Sequence, residues 1–151
     1  MKYLDFISPM DGKIINIENV PDETFSSKAM GDGFAYIISG SKVVSPVNGE
    51  IVSVFPGGHA ILIKSDENIN LMIHIGLETH NSEGMHNPLV KQGDKVKQGD
   101  VLVETKLGKK LLLNKKSKYS PVVFLNGEKV KLLKENLEIN AGDKEIVEIE
   151  Y

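Results

Sequence analysis

The order of residues in this chain predicts an all-β fold: an antiparallel β-sandwich or barrel of the duplicated hybrid-motif kind, with a few short helical turns. Three observations predict it. Apolar residues recur with period two in short runs, the runs are rich in β-branched side chains, and Gly, Pro, Asn or Asp separates each from the next. The runs lie at residues 13–17, 43–44, 50–54, 61–63, 71–73, 101–103, 121–124 and 145–149. Helix is scarce: a turn or two is expected at 22–30 and at 84–92, and a short one at 130–136 that closes on Asn136.

One internal repeat is visible. Ser8-Pro9-Met10-Asp11-Gly12-Lys13-Ile14-Ile15 returns as Ser45-Pro46-Val47-Asn48-Gly49-Glu50-Ile51-Val52, so the two halves are expected to turn alike. The Asp-Gly and Asn-Gly pairs are expected to supply the positive φ of tight hairpin turns. Gly93-Asp94, Gly99-Asp100 and Gly142-Asp143 each precede a strand-like run and read as turns. They are not read as calcium loops, because the acidic spacing of such a loop is missing.

At 151 residues, one hydrophobic core and one domain are expected. A chain that is 40% apolar and 26% charged needs neither disorder nor fibre to explain it, and a net charge of −3 has the wrong sign for a nucleic-acid backbone. The Lys-rich run at 106–118 reads as a solvated face. The lack of cysteine removes disulfides, thiolate metal ligands and thiol nucleophiles. The start, Met1-Lys2-Tyr3-Leu4-Asp5-Phe6, has no apolar signal region, and no stretch approaches the roughly 18 apolar residues of a membrane span. A cytoplasmic protein is expected.

Two segments carry chemistry. His59-Ala60-Ile61-Leu62-Ile63-Lys64 and Ile69-Asn70-Leu71-Met72-Ile73-His74 flank the polar group Ser65-Asp66-Glu67-Asn68, which is a hairpin signal. If the loop is even and centred between Asp66 and Glu67, His59 stands opposite His74, with Cβ atoms about 5 Å apart. Ala60, Leu62, Leu71 and Ile73 would then share one face, and His59, Ile61, Ile63, Asn70, Met72 and His74 the other. A three-residue loop with a bulge at Asn68 would shift this pairing by one. Two neutral imidazoles on an apolar surface offer nucleophilic nitrogens, a hydrogen-bond donor, or half of a metal site.

At these residues a resemblance appears. Met72-Ile73-His74-Ile75-Gly76-Leu77-Glu78-Thr79 resembles the signature of the glucose-type enzyme IIA of bacterial sugar phosphotransferase systems. Ser8-Pro9, Val20-Pro21-Asp22, Met30-Gly31-Asp32-Gly33, Ser45-Pro46-Val47, Gly58-His59-Ala60, Gly99-Asp100 and Ser120-Pro121-Val122-Val123 match in family order over almost the whole chain. The resemblance implies a single EIIA domain over 1–151 and phosphotransferase activity. His74 would receive a phosphoryl group from the phosphohistidine of HPr and pass it to the cysteine of a membrane-linked IIB domain. His59 would be the second histidine, which hydrogen-bonds that group; no metal or organic cofactor is called for. By the same resemblance Phe25, Met30, Phe55 and Met72 rim the site and meet partners, although such residues are also plain core-formers. Asp22 and Glu78 match acidic rim positions suited to basic partners. Regulatory targets beyond these partners stay open, as does the sugar, which the membrane subunit selects.

The chain departs from the family pattern at Asn68 for Gly, at Gly57 for Thr, and at His80 for Val or Ala. Asn tolerates a left-handed turn, so the hairpin should persist. Loss of the Thr hydroxyl should remove a bond that orients a histidine, and the run 80–86 is shorter and more polar than its counterpart. Two rival readings remain. Residues 93–106 resemble the approach to the carrier lysine of a biotinyl or lipoyl domain, but the residue between Thr105 and Lys106 and a mirrored second half are missing. A zinc endopeptidase of the lysostaphin kind would need about three protein ligands. The chain has no His-x-His pair, and His80 and His86 look like loop residues.

Overall fold

The computed structural model describes residues 2–79, 84–110 and 115–151. Its strands are β1 (Gly12–Asn16), β2 (Gly33–Ile38), β3 (Lys42–Val44), β4 (Gly49–Val54), β5 (Ala60–Ser65), β6 (Asn70–His74) and β7 (His86–Pro88). They continue as β8 (Lys95–Val96), β9 (Val101–Thr105), β10 (Tyr119–Phe124), β11 (Lys129–Leu132), β12 (Leu137–Ile139) and β13 (Val147–Glu150). One sheet runs in the order β12-β1-β2-β10-β6-β5-β4-β8, a second β3-β9-β7, and a third pairs β11 with β13. The pairings are antiparallel, as the period-two pattern predicts.

Both faces of the large sheet are dry along its middle strands, which is why those strands read as apolar on alternate and on adjacent positions alike. Ile14, Phe34, Tyr36, Ile61, Ile63, Leu71, Ile73, Val122 and Phe124 face the main core, where Phe6 meets Phe34 edge-on at 5.8 Å. Their neighbours Ile15, Ala35, Ala60, Met72 and Val123 face a second, smaller core, closed by Ile17, Val20, Phe25 and Leu77. Phe25 reaches that face from α1 (Glu23–Ser26), a single turn capped by Asp22, whose carboxylate accepts from Thr24 N–H at 2.9 Å. Among the described residues no helix is long and apolar enough to cross a membrane.

The repeat is structural. Ser8 Oγ donates to the Met10 carbonyl at 2.9 Å, and Ser45 Oγ to the Val47 carbonyl at 2.6 Å, so both Ser-Pro corners are closed by the same bond. The glycine that follows acts differently from expectation. Neither Gly12 nor Gly49 has a positive φ; a Cβ on Gly12 would strike the Ile37 carbonyl oxygen, and one on Gly49 the Lys64 carbonyl oxygen. Close approach of the paired strand, not turn geometry, demands glycine there. The Gly-Asp pairs are the turns: Gly93, Gly99 and Gly142 have φ near +90°, and each following Asp carboxylate accepts the N–H three residues back.

Two helical expectations are overturned. Residues 84–92 contain β7, which pairs with β9, and residues 130–136 contain β11, held by β13; long-range strand pairing outweighs local propensity in both. The Lys-rich run is solvated at Lys106, Lys109, Lys110 and Lys116, with residues 111–114 outside the described set.

The hairpin between β5 and β6 takes the three-residue loop. Ala60 stands opposite His74, Leu62 opposite Met72 and Lys64 opposite Asn70, so the even-loop pairing of His59 with His74 is not the register. The loop closes through Asn68 N–H to the Ser65 carbonyl and Ile69 N–H to Ser65 Oγ, with Asn68 at φ 67°. A left-handed residue at the third loop position is what such a turn requires, and Asn supplies it. Asn68→Ala is therefore expected to lower stability by about 1 kcal/mol and Asn68→Gly to leave it within about 0.5 kcal/mol. Urea unfolding midpoints of the two variants check this.

Candidate functional site

His74 is the last residue of β6, and alternation puts it with Met72 on the face of the smaller core. His59 precedes β5, at the end of the 3-10 turn Pro56–Gly58, with its backbone in the right-handed helical region (φ −76°, ψ −16°). Its carbonyl still accepts from Ile75 N–H at 2.6 Å, so the ladder continues one step beyond Ala60 and His74. Extended geometry would have sent its ring to the Ile61 face. The helical ψ turns it to the other side, and the two ring centroids lie 5.3 Å apart at 72°. The juxtaposition expected from the hairpin is present, by a different route.

Four rings stand in a row: Phe25 is 5.3 Å from His74, and Phe55 is 5.9 Å from His59, each edge-on to its neighbour. Quadrupoles favour this geometry, and the end rings shield the two imidazoles from water. Each histidine is anchored by a backbone carbonyl. His59 Nδ1 lies 3.0 Å from the Pro56 oxygen, and His74 Nδ1 lies 2.7 Å from the Gly76 oxygen. A carbonyl only accepts, so both Nδ1 atoms carry hydrogen, and in the neutral rings both Nε2 atoms keep their lone pairs. The arrangement can attack an electrophile at either Nε2 or hold a proton there.

The remaining predicted site residues divide by burial. Phe25 and Met72 are buried in the smaller core, Met30 packs half-buried against it, and Phe55 is 38% exposed. Asp22 is half-buried as the α1 cap, and Glu78 is exposed with φ 59°. Gly57 and Gly58 have φ 86° and 77°, so a Thr at 57 would be strained, and the Pro56 carbonyl orients the histidine in place of a hydroxyl. His80 lies outside the described residues.

His86 is the residue that sequence reasoning missed. It is not in a loop but in β7, opposite Thr105, and it is buried. Thr79 Oγ1 donates to the Ile75 carbonyl at 2.8 Å, so His86 must donate Nε2–H to it, at 3.1 Å. Thr105 Oγ1 accepts Leu107 N–H and donates to His86 Nδ1 at 2.8 Å. Burial between two hydroxyls keeps this ring neutral at neutral pH. Its pKa is pushed down to about 4, first by burial and then by the charges of His59 and His74. The only sequence sign was a histidine set among residues of a short polar run, since its partners lie 7 and 19 residues away. Among the described residues no three His, Cys, Asp or Glu side chains converge to hold a metal ion.

Fold and site together define a β-sandwich protein with a paired-imidazole centre framed by aromatic rings. A sequence profile of the phosphoenolpyruvate-dependent sugar phosphotransferase system EIIA 1 family matches residues 4–130. The glucose-specific EIIA component of the phosphotransferase system from Halalkalibacterium halodurans is 44% identical, over 94% of this chain and 83% of that protein. Its counterpart from Oceanobacillus iheyensis is 36% identical, over 98% of this chain and 91% of that protein. The solved structure of glucose permease IIA from Mycoplasma capricolum superposes with a TM-score of 0.84 at 33% identity, covering 99% of this chain and 96% of that one. The chain belongs to the EIIA 1 family: it is an EIIA component of the phosphoenolpyruvate-dependent sugar phosphotransferase system.

The neutral His86 has a measurable signature. Between its ordinary value of 6.5 and about 4 the unfolded chain binds a proton there that the folded chain refuses. This contribution to stability is therefore full above pH 6.5 and is lost as pH falls toward 4. Unfolding midpoints of wild type should fall more steeply over that window than those of His86→Gln, which has nothing to titrate.

Proposed function

We propose that His74 is the phosphoryl acceptor and His59 the group that steadies the phosphoryl oxygens. The observation that supports this most directly is the pair of rings 5.3 Å apart, each with Nδ1 tied to a backbone carbonyl. In the first step Nε2 of His74 forms a nitrogen–phosphorus bond as the corresponding bond of phospho-HPr breaks, its electron pair returning to the HPr imidazole. In the second, a IIB cysteine thiolate attacks the same phosphorus and the pair returns to His74 Nε2. Such transfers need in-line placement and stabilised equatorial oxygens more than covalent help.

The Gly76 carbonyl does electrostatic work. As His74 Nε2 bonds to phosphorus, positive charge develops on the ring, and the oxygen held 2.7 Å from Nδ1 faces that charge. His59 supplies the complement: the dianionic oxygens favour a proton on its Nε2, which then donates to them while Pro56 holds the other side. Phe25 and Phe55 limit water attack on the phosphorylated ring. Asp22, Met30, Phe55, Met72 and Glu78 belong to the surface or its floor where HPr and the IIB domain dock, with the exposed Phe55 ring and Glu78 carboxylate in front. The chain works in the cytoplasm as one EIIA unit and meets the membrane only through the permease. Two relatives carry glucose in their names, which makes a glucose permease the first acceptor to test.

Incubation with enzyme I, HPr and phosphoenolpyruvate, read by intact mass, tests the proposal. Wild type and His59→Ala should each gain one acid-labile phosphoryl group and His74→Ala none. His59→Ala should release it to IIB about a hundredfold more slowly, the loss expected for one positioned donor. A phosphorylated His74→Ala would refute the assignment.

A further inference from the structure

We infer that His86 is a positioning residue for His74, acting through the Thr79 hydroxyl and the 75–79 turn. Its consequence for phosphoryl transfer rests on the acceptor role proposed above; its consequence for the His74 tautomer does not.

A chain of hydrogen bonds runs in one direction from Leu107 N–H through Thr105 Oγ1, His86 and Thr79 Oγ1 to the Ile75 carbonyl. The Ile75 carbonyl only accepts, which commits the Thr79 hydrogen and makes His86 Nε2 the donor to Thr79; in the neutral ring Nδ1 then accepts from Thr105. His86 gives the Thr79 oxygen its donor, which commits the single Thr79 hydrogen to Ile75. That bond closes the turn carrying the Gly76 carbonyl, the acceptor for His74 Nδ1–H.

Ile75 joins both histidines: its N–H binds the His59 carbonyl at 2.6 Å and its carbonyl receives Thr79. The turn is otherwise pinned by Gly76 N–H to Ser120 Oγ, at 2.9 Å, by Leu77 N–H to the Ser117 carbonyl, at 3.1 Å, and by a crowded setting in which a Gly76 Cβ would strike the Ser117 carbonyl, Leu107 and Thr79. Ser120 and the Thr79–His86 arm grip the N–H and the carbonyl of the same Ile75–Gly76 peptide, so losing the arm leaves that peptide held on one side and lets the Gly76 carbonyl that follows it tilt. Without that arm the Gly76 oxygen loses its aim. His74 then shifts toward the Nε2–H tautomer that a free imidazole prefers, which occupies the lone pair needed for attack.

Long-range proton–nitrogen spectra of the unphosphorylated, nitrogen-15-labelled protein at neutral pH read the tautomer directly. His74 in wild type should show hydrogen on Nδ1. His86→Leu and Thr79→Val should each show a mixture and a phosphorylation rate about tenfold lower, the scale of a lost supporting hydrogen bond at a reactive imidazole. His86→Gln, whose amide can still donate to Thr79, should restore both. Ser45→Ala, which loses a buried hydroxyl bond elsewhere, serves as the control for general destabilisation and should change neither.

An unchanged His74 tautomer in folded His86→Leu or, should that variant not fold, in Thr79→Val overturns the positioning role. So does an equal shift in Ser45→Ala. A tautomer shift without a change in rate overturns its link to transfer. Wild type that takes no phosphoryl group overturns the acceptor assignment instead, and the spectra keep the two failures apart.

Discussion

A hydrogen bond of 2.6 Å from Ile75 N–H to the His59 carbonyl joins the sheet to the site, and the geometry around the two imidazoles depends on it. The bond keeps His59 in the β-ladder by its carbonyl while its helical ψ releases the side chain from strand alternation. A residue that obeyed both halves of the strand rule would present its ring to the main core, where Ile61 and Ile63 leave no polar outlet. The carbonyls of Pro56 and Gly76 complete the arrangement, one on each side of the pair. Backbone oxygens are rigid acceptors whose positions follow from the fold, so the tautomer of each ring is set by architecture and not by a neighbouring acid.

The two-faced sheet makes this affordable. Its main face buries large aliphatic and aromatic side chains at nearly zero exposure, and this core holds the strands in register. The second face then needs only a small cap, which the single turn of α1 and the residues before it provide through Phe25, Ile17 and Val20. His74 emerges at the margin of that cap. It is packed against Phe25 on one side and half-buried overall.

His86 shows how a third histidine can sit close to the pair without joining it. Its nitrogens are both consumed by threonine hydroxyls, and burial disfavours its charge, so it stays outside the acid–base chemistry. The same bonds make it part of the support beneath His74. The departure at Gly57 is also compensated by backbone: consecutive left-handed glycines bring the Pro56 carbonyl to the His59 ring, where a side-chain hydroxyl had been expected.

Strand alternation, turn residues and composition were enough to determine the all-β class and the repeated Ser-Pro corners, because each depends on interactions between near neighbours in the chain. The left-handed Asn68 was legible for the same reason. The adjacency of His59 and His74 was expected from a register the hairpin does not adopt, and the helical ψ of His59 produces it. Only the tertiary structure decided the loop length of that hairpin, since even and odd loops bury equally apolar faces and the sequence between Ile63 and Leu71 suits both. It also decided that Gly12 and Gly49 serve close strand approach, and that strands at 86–88 and 129–132 stand where helical turns were expected. The His86 network was beyond reach altogether. It is assembled by the β7–β9 pairing from Thr79, His86 and Thr105, and local sequence cannot encode a bond whose partners are brought together only when the sheets close.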